Sequence, residues 1–90
     1  MRIAWDPVKA RENLAKHGIS FEEAATALED PLSAIGPDPD HSFDEERFVA
    51  FGVSPVGRLL AIAYTERDDT IRIISTRRVT PGERKIYEEG

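Results

Sequence analysis

The chain has no cysteine, one methionine and one tryptophan among its 90 residues. Without thiols, a disulfide framework and thiolate metal sites are both excluded. No apolar run approaches the roughly 20 residues of a membrane-spanning helix. The opening MRIAWDPVKA has no apolar core of the kind a secretory signal carries. Also missing are a Gly-rich phosphate loop, a zinc-ligand spacing and a Ser-His-Asp order. These absences lead to the expectation of a soluble, cytoplasmic chain with no metal and no cofactor. Net positive charge is lacking too: 12 basic against 17 acidic side chains leave −5, which argues against non-specific coating of nucleic acid.

What is present suffices for one domain, residues 1–90, with one modest core. The hydrophobic share of 40% is too high for a disordered chain. Charge is unevenly spread, with 5 basic and 11 acidic side chains in residues 1–57 but 7 and 4 in residues 58–85. A small cationic site in the second part is therefore compatible with an acidic whole.

RIAW reads as a short strand. Asp6 is placed as an N-cap, Pro7 as the first helical residue and Gly18 as the residue past the end, which predicts a helix over 7–17. A second helix follows at once, with Ser20 and Glu23 spaced as a capping box and Pro31 ending it. GPDPDHSFDEE is a proline-rich acidic loop, preceded by a strand or linker. Strands are predicted at 47–54, 58–65 and 70–78, and short connections make them antiparallel neighbours. Thr80, Pro81 and Glu83 repeat the cap grammar for a short last helix. The outline is an α+β fold, two N-terminal helices and a short C-terminal helix against a small, mainly antiparallel sheet.

The strand TIRIISTRRV poses the functional question, because it carries three arginines through a run of isoleucines. If the hairpin turns at Asp68-Asp69, Tyr64 faces Ile73, Ile62 faces Ser75 and Leu60 faces Arg77. One side then holds Leu60, Ile62, Tyr64, Ile71 and Ile73. The other holds Ala61, Ala63, Thr65, Arg67, Arg72, Ile74, Thr76 and Arg78, a small polar surface suited to an anion. The plainer reading is a solvated face neutralised by Glu45, Glu46 or Glu66.

Other residues have structural readings of comparable weight. His17 lies where a helix dipole stabilises an imidazolium; it can cap or carry a proton, while Lys16 beside it reads as a helix-end cation. His41, among acids in a proline-rich loop, lacks the spacing of a metal ligand. Trp5 reads as core or as a base-stacking ring, and Tyr87 as packing.

Taken together, the Trp5-Asp6 start, Asn13, KHG-SFEEA, the ER before the last hairpin strand, RIIS-R upon it and the final ER--Y helix resemble the BrnT family of type II toxin–antitoxin toxins. The similarity runs from residue 5 to residue 88. It implies a RelE/ParE-like fold and a metal-independent endoribonuclease that arrests translation. The implied partners are RNA, possibly on the ribosome, and a BrnA-like ribbon-helix-helix antitoxin, with operator DNA reached only through that antitoxin. Carried over by position, Arg67, Arg72 and Arg77 are the implied site residues. Lys16 and His17 match the family's KHG, and Glu66 is the nearest candidate base. Arg47 and Arg78 would hold flanking phosphates. The register above sets Arg77 opposite Arg67 and Arg72; either a twisted strand end brings it round, or it is structural, pairing with an acid such as Glu83. A competing reading is a non-catalytic interaction module that binds an acidic partner through the arginine face. A stand-alone nucleic-acid-binding domain is the third, and the overall acidity counts against it.

Overall fold

A computed structural model describes residues 2–38 and 46–90. The elements are β1 (Arg2–Trp5), α1 (Pro7–His17), α2 (Phe21–Ala27), β2 (Ala34–Pro37), β3 (Arg47–Val53), β4 (Leu59–Arg67), β5 (Thr70–Arg78) and α3 (Pro81–Glu89). They form a three-helix, five-stranded α+β fold with sheet order β1-β5-β4-β3-β2. Among the described residues, only the β1–β5 pairing is parallel. The strand-or-linker before β3 is the edge strand β2, and it takes Gly36 and Pro37 out of the expected acidic loop. His41 and Glu45 lie outside the described residues.

The helix limits follow from their caps. The Asp6 carboxylate accepts from the Val8 N–H at 2.9 Å, and Gly18 closes α1 in the left-handed region at φ 69°, where a Cβ would be strained. Ser20 accepts from the Glu23 N–H at 3.0 Å. The capping box expected there is only half formed, because the Glu23 carboxylate turns instead to Arg58 and Ser54. The box at Thr80 and Glu83 is complete. Asp68 and Asp69 both adopt positive φ, 51° and 64°, the twist a two-residue hairpin turn requires.

Helices α1 and α2 cover one face of the sheet. Ile19, Phe21, Ala24, Ala27, Ala50, Leu60, Ile62, Tyr64, Ile71 and Ile73 make the buried cluster. Trp5 meets Phe21 edge-on at 6.0 Å and Phe48 stacks on Tyr64 at 5.6 Å, so Trp5 belongs to the covered side. Close approach of α2 to β3 requires Gly52, since a Cβ there would collide with the Ala27 carbonyl.

The register of β4 on β5 holds the principal surprise. From the turn to Tyr64↔Ile73 it runs as the alternation predicts. Beyond that point Ala63 pairs with Ser75, Ile62 with Thr76, Ala61 with Arg77 and Leu60 with Arg78. Ile74 is an extra residue on β5, a β-bulge, and it exchanges the faces of everything after it. Thr76 therefore enters the core at 1% exposure, and Arg78 joins Leu60 on the covered side. The expected pairings of Ile62 with Ser75 and Leu60 with Arg77 are corrected accordingly.

Buried Asn13 of α1 secures this segment. Its side-chain amide donates to the Thr76 carbonyl at 2.9 Å and to the Ile19 carbonyl at 3.0 Å, and its oxygen accepts from the Thr76 N–H at 3.1 Å. Strand β1 stops pairing at Ile73, so the amide serves the β5 backbone as a further strand would. Asn13→Ala would strand three buried backbone groups, at about 1–3 kcal/mol each before relaxation. Chemical denaturation should show a loss of roughly 3 kcal/mol or more, and a loss below about 1 kcal/mol would contradict this account. By contrast, the Thr76 hydroxyl is buried with no hydrogen-bond partner, so Thr76→Val should be neutral or stabilising in the same assay.

Candidate functional site

The sheet face away from α1 and α2 is built from alternate residues. Cross-strand partners share a face, so one row reads Ala4, Arg72, Thr65, Arg47 and the row beside it Arg2, Thr70, Arg67. Further along lie Val49, Ala63 and Ser75, then Phe51, Ala61 and Arg77. Ala61, Ala63 and Ser75 form a low floor, so the arginines rise above it with little steric hindrance. An open depression of about 660 Å³ lies at the hairpin end, lined by Glu46, Thr65, Glu66, Arg67, Asp68, Thr70 and Arg72. A smaller one, about 220 Å³, lies over the floor between Arg47 and Arg77.

Arg67 and Arg72 thus occupy one surface beside the Thr65 and Thr70 hydroxyls. Among the described residues, neither guanidinium has a carboxylate partner. Two cations free of ion pairs on rigid strands can receive an anion, although Glu46, Glu66 and Asp68 share the depression. Of the carboxylates expected to neutralise them, neither Glu46 nor Glu66 forms an ion pair with them, and Glu45 lies outside the described residues. Glu66 pairs with Ile71 and so projects toward the covered side, reaching the depression only at its rim. Its charge reaches Tyr64, whose phenol is pushed up first by burial and then by Glu66.

Arg77 resolves both alternatives posed by the sequence at once. The bulge at Ile74 sets it on the same face as Arg67 and Arg72, and it also pairs with Glu83 through two hydrogen bonds of 2.7 and 2.9 Å. That fork-to-carboxylate geometry is the strong form of the ion pair. Glu83 is held down to about 2, chiefly by Arg77, and Arg77 is raised in return. A second carboxylate, Asp30, accepts from the Tyr87 hydroxyl at 2.6 Å and the Val53 N–H at 2.9 Å. Together these bonds hold α3 beside β3, where Ile86 and Glu83 flank Val49 and Phe51.

The remaining candidates stand elsewhere. Arg78, expected to hold a flanking phosphate, lies on the covered side and its charge acts on Glu23. Lys16 and His17 are exposed at the last turn of α1. The next residue, Gly18, gives its carbonyl to Arg58 at 3.3 Å, and Arg58 precedes β4 whereas Arg67 ends it. A nine-residue strand at about 3.3 Å per residue separates them, so Lys16 and His17 do not meet the arginine cluster. Arg58 is itself engaged by Glu23, donating from Nε at 2.8 Å.

Two features escaped the sequence reading. Arg2 shares the open face, which only the parallel β1–β5 pairing reveals. The bulge did leave a signal, the doubled isoleucine at 73 and 74 that breaks an otherwise regular alternation. Among the described residues, no group of three or more His, Cys, Asp or Glu side chains could hold a metal ion, and no helix is long and apolar enough to cross a membrane.

The family whose model describes the ribonuclease toxin BrnT of type II toxin–antitoxin systems matches residues 5–83. Among solved structures, the chain is similar to the Brucella abortus ribonuclease toxin BrnT. The two share 25% identity and a TM-score of 0.70, with 89% of this chain and 97% of that chain covered. No curated protein sequence matches.

The Arg77–Glu83 pair has a definite pH signature. A carboxylate depressed from 4.5 to about 2 adds stability that is fully present above pH 4.5 and disappears as pH falls through about 2. Thermal unfolding at pH 6 and pH 3 should show a larger acid-induced loss in wild type than in Glu83→Gln. Equal losses would contradict the pairing.

Proposed function

The chain belongs to the BrnT family of ribonuclease toxins from type II toxin–antitoxin systems, and on that premise we propose that its open sheet face cleaves RNA without a metal ion. The observation that carries this reading is the convergence of Arg67 and Arg72 beside Thr65 and Thr70, neither of them ion-paired among the described residues although Glu46, Glu66 and Asp68 line the same depression.

In the proposed reaction the ribose 2′-OH loses its proton and its oxygen bonds to the adjacent phosphorus. The bond from phosphorus to the 5′ oxygen breaks, and that oxygen takes a proton. The products are a 2′,3′-cyclic phosphate and a 5′-hydroxyl. The intermediate phosphorane carries more negative charge than the substrate, so fixed cations favour it selectively. Arg72 and Arg67 supply that field, and a planar guanidinium fork fits two phosphate oxygens while remaining charged. Arg47, across Thr65 from Arg72, holds a neighbouring phosphate. Glu66 at the rim, one of three carboxylates lining the depression with Glu46 and Asp68, is assigned as the proton acceptor. Arg77 acts as a positioning residue, anchored by Glu83 and holding α3 at the edge of the face. His17 and Lys16, a strand length away, take no part in proton transfer and are left for contact with flanking RNA or a partner. Arg78, on the covered side, is left in the same position.

The wider setting follows from the family. A BrnA-like ribbon-helix-helix antitoxin would neutralise the toxin, and operator DNA would be bound through that antitoxin. In the acidic first turn of α2, the exposed Glu22 suits a basic segment of such a partner, whereas Glu23 is already engaged by Arg58 and Ser54. Translation would arrest in the cytoplasm as messages are cut, with the ribosome helping to orient them. The fold is read as RelE-like.

End-labelled RNA incubated with purified protein in excess chelator tests the chemistry. Wild type should leave cyclic-phosphate ends, and Arg72→Ala, still folded, should be slower by roughly 100- to 1,000-fold, the usual worth of one such donor. Dependence on a divalent cation would overturn the mechanism, as would a loss under threefold. Tight retention of an acidic peptide without RNA cleavage would favour the interaction-module reading.

A further inference from the structure

Arg2 stands apart from the other open-face arginines because it precedes the matched residues 5–83. Its position is nevertheless fixed by backbone pairing. The Arg2 N–H donates to the Asp69 carbonyl at 3.0 Å, and its Cα is registered against Thr70, which in turn faces Arg67. Arg2 and Arg67 therefore flank Thr70 from opposite sides, two strands or roughly 10 Å apart at the backbone. The Arg2 side chain is exposed and, among the described residues, has no carboxylate partner. Arg77 and Arg58, by comparison, are tied to Glu83 and Glu23.

The face also lacks the other means of gripping RNA. Trp5, Phe21, Phe48 and Tyr64 are turned into the covered core, and Phe51 lies at the far end beside α3. Base stacking near the arginines is unavailable among the described residues, so a strand laid there must be held by its phosphates. A strand held by its phosphates gains affinity from a cation on each side of the scissile position. Arg47 provides one on the β3 side, and Arg2 is the cation on the β1 side.

We infer that Arg2 is a substrate-binding residue that contacts an RNA phosphate flanking the cleavage point, so that the substrate strand crosses the sheet from β1 to β3. This rests on the ribonuclease reading above. Because the contact is made equally in substrate and transition state, it lowers KM without raising kcat. It also adds one ion to those released on binding.

The test compares wild type, Arg2→Gln and Arg2→Lys on a single-stranded oligonucleotide long enough to span the sheet and on a dinucleotide, across a salt series. Arg2→Gln should raise KM for the long substrate roughly three- to tenfold at low salt, leave kcat within about twofold, and reduce the slope of log affinity against log salt by about one. Arg2→Lys should restore the slope, and the dinucleotide should not distinguish the variants. Thermal unfolding, read alongside, should be unchanged, since the β1 hydrogen bond is made by backbone. Wild-type cleavage with an unaltered KM and salt slope in Arg2→Gln would overturn the role of Arg2 and leave the ribonuclease reading intact. A kcat loss equal on both substrates would also overturn it. Absence of cleavage by wild type would overturn both.

Discussion

The side-chain amide of Asn13 is the constraint on which the working face depends. Strand β1 is short because Asp6 and Pro7 start a helix, so β5 loses its parallel neighbour after Ile73. A buried strand edge with open N–H and C=O groups is costly. Asn13 occupies both groups of Thr76 and, through Ile19, ties the start of α2 to the same point. With that backbone position held, the bulge at Ile74 has a defined place, and Arg77 emerges on the side of Arg72 rather than within the core. One polar side chain on the covered side thereby helps decide which cations appear on the other.

The arginines then separate by their partners. Arg58 with Glu23 clamps the α1–α2 corner to the β3–β4 turn, and Arg77 with Glu83 fixes α3. These pairs are bidentate or multiply bonded; the first joins elements 35 residues apart, and the second ties α3 back to the strand that precedes it. Arg67, Arg72 and Arg2 have no such duty. Leaving them unpaired costs little stability, since an exposed ion pair is worth only about 0–1 kcal/mol, while it preserves their field for a phosphate. An acidic protein with a local cationic face also repels nucleic acid over most of its surface, which directs RNA to the one place where charge is favourable.

Most elements were legible because their limits are written in local chemistry. Proline after Asp6, Gly18 past a basic last turn and the Thr80–Glu83 box each specify a boundary without reference to the rest of the chain. The covered face was legible from alternation in LLAIAYTE and from Ile71 and Ile73. What could not be read is non-local. The Glu23 carboxylate leaves its expected cap because Arg58, 35 residues away, offers a stronger partner. The parallel docking of β1, which brings Arg2 to the open face, has no signature within RIAW. The doubled Ile73-Ile74 did announce a break in phase, yet only the Asn13 contact with Thr76 shows which way the strand resolves it. Family resemblance placed Arg67, Arg72 and Arg77 together by position; the backbone supplies the reason they share a surface, and it sets His17 and Lys16 apart.

The most direct measurement is a map of backbone amide shifts on adding an RNA oligonucleotide made non-cleavable by 2′-deoxy substitution. The account predicts the largest changes at Arg47, Thr65, Arg67, Thr70 and Arg72, with Arg2 following and the α1 end unaffected. Shifts centred on Lys16, His17 and Arg78, with the open face silent, would contradict it.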